Sequence, residues 1–113
     1  MKGGINKKME TNAQQESEKE PKVKINLLNL GTPNKNKVVL NVNGKGTLTL
    51  FFSYETIVSF IVQTPTKYAD KTIINLWSNT TGKLLNELCP NKADRIGEEE
   101  FKNELAKAFN LLF

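Results

Sequence analysis

From Val23 the chain places apolar side chains at alternate positions: Val23, Ile25 and Leu27 are separated by Lys24 and Asn26, and Leu28 to Leu30 extend the apolar character. That period of two predicts a first strand. Gly31-Thr32-Pro33-Asn34-Lys35-Asn36 reads as a loop by its Gly, Pro and Asn content. Lys37 to Asn43 alternates again, with Val38, Leu40 and Val42 on one side and Val39, Asn41 and Asn43 on the other. Asn43-Gly44-Lys45-Gly46 supplies residues that accept positive φ, and Thr47 to Tyr54 resumes the alternation, which predicts a β-hairpin. Leu48, Leu50, Phe52 and Tyr54 share one face, and Thr47, Thr49, Phe51 and Ser53 the other. A further strand is expected through Glu55 to Thr64, a turn at Pro65 to Lys71, and a last strand at Thr72 to Trp77.

After Trp77 the period changes. Ser78 or Asn79 is placed to cap a helix in which Leu84, Leu85 and Leu88 recur at helical spacing, and Pro90 stops it beyond Cys89. Gly82 weakens its first turn by up to about 1 kcal/mol relative to Ala. Asn91 to Gly97 reads as a loop. Glu98-Glu99-Glu100 then opens a final helix with the charge its N-terminus favours, and Phe101, Leu105, Ala108, Phe109 and Leu112 form its apolar stripe.

These elements predict an α+β fold, an antiparallel sheet of four to five strands followed by two C-terminal helices packed on one face. The face suited to burial carries Val38, Leu40, Val42, Leu48, Leu50, Phe52, Val58, Phe60 and Val62. The other carries Asn41, Asn43, Thr47, Thr49, Phe51, Ser53, Ser59 and Gln63 and is expected to face water. Residues 1–21 contain almost no large apolar side chains, so they are expected to form a disordered charged tail, with 22–113 as a single α+β domain.

Charge divides the chain unevenly. Residues 1–20 hold four lysines and four glutamates; residues 21–83 hold eight lysines against Glu55 and Asp70, a net of +6; residues 84–113 hold four basic and six acidic groups. The strand-rich part is therefore basic, which fits either solubilising lysines on edges and loops or an anion-binding surface. The absence of histidine removes the commonest general base and metal ligand, and no nucleophile, acid pair or metal cluster is spaced for catalysis. The chain is thus expected not to be an enzyme and to need no metal or cofactor. Cys89 is alone, so it closes no intrachain disulfide, and a buried reduced thiol is expected. No apolar run approaches the roughly 20 residues that span a bilayer, and no secretory pattern opens the chain; a cytoplasmic protein without membrane contact is expected.

The polar residues concentrate at Trp77-Ser78-Asn79-Thr80-Thr81-Gly82-Lys83, where strand gives way to helix. Thr80, Thr81 and Lys83 beside the unpaired N–H groups of a helix start form a candidate anion site, with a plain helix cap as the competing reading. Thr81-Gly82-Lys83 is similar to the end of a phosphate-binding loop, but Trp77 stands where that motif needs glycine, which argues against a nucleotide hydrolase. Trp77 reads either as a stacking platform or as a core residue.

Ser53-Tyr54-Glu55-Thr56-Ile57-Val58 and Asn75-Leu76-Trp77-Ser78-Asn79-Thr80-Thr81-Gly82-Lys83-Leu84-Leu85-Asn86 resemble a small uncharacterised domain that recurs in proteins of phages, archaeal viruses and mobile elements. The resemblance covers about residues 38–88 and implies such an origin. In that family a histidine often follows the Gly-Lys pair; Leu84 stands there in this chain. In outline, the strands, helix and basic sheet are also similar to single-stranded DNA binders of the transcriptional-coactivator and Whirly type. The resulting expectation is a nucleic-acid binder that contacts phosphates through Lys35, Lys37, Lys45 and Lys83 and stacks bases on Phe51 and Trp77. The alternative is a module that engages a host protein. Leu111-Leu112-Phe113, at the end of the last apolar stripe, offers a surface for a homodimer through the C-terminal helix.

Overall fold

The alternating segments pair as a five-stranded meander in the computed structural model, which describes residues 22–113. Strands β1 (Val23–Asn29), β2 (Lys35–Val42), β3 (Gly46–Ser53), β4 (Thr56–Gln63) and β5 (Tyr68–Thr72) lie side by side in chain order, every neighbouring pair antiparallel. Helix α1 (Asn79–Leu88), a short 3-10 turn (Lys92–Asp94) and helix α2 (Glu98–Leu112) follow. The α+β class, the antiparallel sheet and the two C-terminal helices are as the sequence predicts. The expected disordered tail, residues 1–21, lies outside the described residues.

The β2–β3 turn needs its glycines. Gly44 (φ 79°) and Gly46 (φ 148°) both have positive φ, and a Cβ on Gly46 would collide with the carbonyl oxygen of Gln63 on β4. Tyr54 and Glu55 join β3 to β4, and Tyr54 sits at φ 57°, a left-handed conformation that costs a side-chain-bearing residue about 1–2 kcal/mol. Its N–H donates to the Asn34 carbonyl in the neighbouring β1–β2 loop at 2.7 Å. Beyond this turn the register moves from Phe51–Ser59 to Phe52–Ile57, leaving Val58 as an extra residue in β4.

Register assigns each side chain to a face. Leu48, Leu50 and Phe60 point to the face that α2 covers, where the Phe60 and Phe101 rings lie 5.7 Å apart at 54°. Ala108 and Leu112 complete the buried stripe of α2, with Leu105 and Phe109 half-buried against the same core.

Two sequence expectations are corrected here. The last strand is Tyr68–Thr72 rather than Thr72–Trp77: Tyr68, Asp70 and Lys71 read as turn residues, yet on a sheet edge such polar residues pair readily. Ile73 forms only an isolated parallel bridge with Ile96. The helices also do not share one face. Ser53 lies opposite in face to Phe52, and it is Ser53 that meets α1, through a buried contact between Ser53 Oγ and Thr81 Oγ1 at 2.8 Å. Lys35, cross-strand partner of Ser53, reaches Glu87 of α1 at 3.5 Å.

Small side chains are the reason α1 docks there. Ser53, Ser59 and Thr72 are all buried polar residues at that end of the sheet. Ser59 Oγ donates to the Lys71 carbonyl at 3.0 Å and lies 2.7 Å from Thr72 Oγ1, so each hydroxyl finds a partner. Satisfied hydroxyls can be buried at little cost, and Leu84 and Leu85 of α1 are buried with them. Polarity in the sequence thus concealed a covered patch.

Candidate anion cleft and basic sheet face

Helix α1 presents three different surfaces. Thr81, Leu84 and Leu85 point inward. Glu87 turns toward Lys35 on β2. On the third side Asn79, Gly82, Lys83 and Asn86, spaced three and four apart, face a cleft of about 600 Å³. Ile74 and Asn75 form its other wall, and Lys92 and Arg95 close one end.

The cleft is cationic. Lys83, Lys92 and Arg95 line it, and no acidic residue among the described ones does. Arg95 is only 9 % exposed, and it has no carboxylate partner among the described residues. Its Nε–H donates to the Cys89 carbonyl at 3.0 Å, and Nη2 donates to that carbonyl and to Asn86 Oδ1, both at 2.8 Å. These acceptors are neutral, so the guanidinium closes the C-terminal end of α1, where the helix dipole favours a cation, and meets no full negative charge among the described residues. Nη1 has no protein acceptor among the described residues.

The two segments that carried the sequence resemblance meet at the other flank. Ser53, Tyr54, Thr56 and Val58 of the first, with Trp77, Ser78 and Thr81 of the second, enclose a smaller cavity of about 340 Å³. Asn75 orders the approach: its Oδ1 accepts the Trp77 N–H at 2.9 Å, and its Nδ2 would stand 3.0 Å from a Cβ on Gly82. Gly82 is therefore suited to letting Asn75 lie against α1, despite its helical cost. Ser78 occupies the N-cap position, but no side chain caps the helix.

The sheet's other exposed region lies on the Phe51 face. Phe51 pairs across the strands with Lys37, Thr47 with Asn41 and Gln63, and Lys24 with Asn41. Tyr68 follows Gln63 in the same row. The Asp70 carboxylate, as hydrogen-bond acceptor first and as charge second, holds the Tyr68 phenol above the ordinary tyrosine pKa.

The residues singled out by sequence separate into groups. Lys37 and Phe51 come together, both half-buried, and Lys45 stands apart at the exposed β2–β3 turn. Lys35 is drawn to Glu87, with its side chain 16 % exposed. Lys83 lies in the cleft, and Thr80 is exposed near the start of α1. Thr81 turns inward, its hydroxyl occupied by Ser53, and Trp77 is 44 % exposed between two cavities. Cys89, expected to be buried, is half-buried at the end of α1, where the helix finishes beside a solvent-facing loop. Sequence reasoning passed over Lys92 and Arg95 because they sit in a segment without periodicity. The one available signal is that Arg95 is the chain's single arginine among its basic residues.

A model of a family of unknown function, DUF8033, matches residues 6–104. The chain belongs to that family. No curated protein and no solved structure gives a match. For this DUF8033 member the matched span takes in the whole sheet, the cationic cleft and the first half of α2. Among its described residues no helix is long and apolar enough to cross a membrane.

Proposed function

We propose that this DUF8033 protein is a non-enzymatic nucleic-acid-binding protein of a virus or mobile element, acting in the cytoplasm of its host on single-stranded DNA or RNA. The observation that supports the reading most is the cross-strand pair of Lys37 and Phe51 on the sheet face away from α2. Lys24 projects from the same face, and Asp70 is the one acidic residue of the described strands there. A cation beside an aromatic ring on a polar, hydroxyl-rich sheet suits a backbone phosphate next to a stacked base.

Fluorescence anisotropy with labelled single- and double-stranded oligonucleotides tests this directly. Binding is expected at low salt and should weaken as salt rises, with log K against log salt falling by about 0.7 per neutralised phosphate on a single strand. Lys37→Ala should reduce that slope, and Phe51→Ala should weaken binding at all salt concentrations. Absence of binding at low salt defeats the proposal.

A second reading has its own support. Ile25 and Leu27 are 66 % and 70 % exposed on the face that α2 covers elsewhere, an apolar surface that suits a host-protein partner. The end of α2, where Phe113 is 59 % exposed, supports a homodimer. Light scattering coupled to size-exclusion chromatography separates a dimer from a monomer.

A further inference from the structure

Three basic side chains line the cleft beside α1, and one of them is Arg95, buried without a carboxylate partner among the described residues. A buried cation held by neutral acceptors alone retains much of its desolvation cost, which a bound anion would offset. From these observations we infer that the cleft between α1 and the Ile74–Asn75 segment is a binding site for a phosphate monoester.

The chemistry favours phosphate over carboxylate. A monoester carries about −1.5 to −2 charges near neutral pH and three acceptor oxygens, whereas a carboxylate offers one charge and two oxygens. Lys83 and Lys92 supply cationic donors, Arg95 retains the N–H groups of Nη1, and the amides of Asn79 and Asn86 add uncharged donors along one side of α1. The volume, about 600 Å³, exceeds what a bare ion fills and falls within the range of small-molecule pockets, so there is room for the esterified group. The ester has two sources, a phosphorylated small molecule such as a nucleoside monophosphate or the 5′ end of an oligonucleotide. Neither depends on binding by the Lys37–Phe51 face.

The test is a ¹⁵N NMR titration of the full chain with inorganic phosphate, then adenosine 5′-monophosphate, then matched trinucleotides bearing a 5′ phosphate or a 5′ hydroxyl. Saturable shifts are expected at the Arg95 Nε–H and at the Gly82 and Asn86 amides. Lys83 and Lys92 are exposed, so Lys83→Gln and Lys92→Gln should leave the thermal melt unchanged while weakening phosphate by about tenfold each. Preference for the 5′-phosphorylated trinucleotide over the hydroxyl form assigns the ester to a nucleic-acid end; comparable binding of adenosine monophosphate without that preference assigns it to a small molecule.

The inference is overturned by unsaturable shifts at tens of millimolar phosphate, by shifts spread evenly over Lys24, Lys45 and Lys67, or by unchanged affinity in the double variant. Binding of the 5′-hydroxyl trinucleotide at Phe51 with a silent cleft overturns this inference alone. A responsive cleft with no oligonucleotide at Phe51 overturns only the sheet reading.

Discussion

An inner strand and an edge strand of the sheet carry the same alternation and meet opposite fates. On β4, Phe60 and Val62 are 1 % and 2 % exposed; on β1, Ile25 and Leu27, in equivalent alternating positions on the same face, are 66 % and 70 % exposed. The apolar positions of that face do not by themselves distinguish them. The difference comes from α2, which packs over β3, β4 and β5 and stops short of β1. Alternation therefore specifies which face a residue occupies, and only the later helix decides whether that face becomes core.

The contrast is most easily broken at its extremes. Phe60→Ala should cost about 3–5 kcal/mol, because it removes a ring packed at a tilt against Phe101 and leaves a cavity. Leu27→Ala should cost less than about 1 kcal/mol, as for other exposed sites. Urea denaturation of both variants decides the matter, and similar losses would show that β1 is covered in solution by a partner or another copy.

A smaller effect probes the patch of hydroxyls beneath α1. Ser53→Ala leaves the Thr81 hydroxyl buried without its partner and should cost about 1–3 kcal/mol. Adding Thr81→Val should recover part of that loss, measured as a coupling energy in a double-mutant cycle. No recovery would mean that the sheet end is wetter than the covered half.

The ion pair at the edge of that patch should contribute less. Glu87 is 66 % exposed, so a Lys35→Ala and Glu87→Ala cycle should give about 0–1 kcal/mol, falling further in salt. The smallest effect belongs to the open Phe51 face. The folded Tyr68 phenol holds its proton more tightly than the unfolded one, so any contribution exists below the ordinary tyrosine range and is lost as pH rises through the raised value. Ultraviolet titration should show this tyrosine ionising late, and Asp70→Asn should bring it back toward ordinary behaviour.

Legibility in the sequence followed the same division. The β2–β3 hairpin and the stripe of α2 could be read directly, since glycines at a turn and apolar positions at helical spacing report local geometry. The face chosen by α1 could not, because Ser53 and Ser59 look solvent-directed until their hydroxyls are seen to meet those of Thr81 and Thr72. Lys83 stood out in the cleft only through its neighbours in sequence. Arg95, which reaches α1 across nine residues to bond Asn86, belongs to no local pattern.

Chain order gives the placement of α2 a consequence in time. The strands emerge from the ribosome before the helix that shields Leu48, Leu50 and Phe60, so a nascent sheet would show its greasy side to solvent during synthesis. Closure between residues as far apart as Phe60 and Phe101 makes completion of this core a late step in folding, with a window in which chaperones have something to hold.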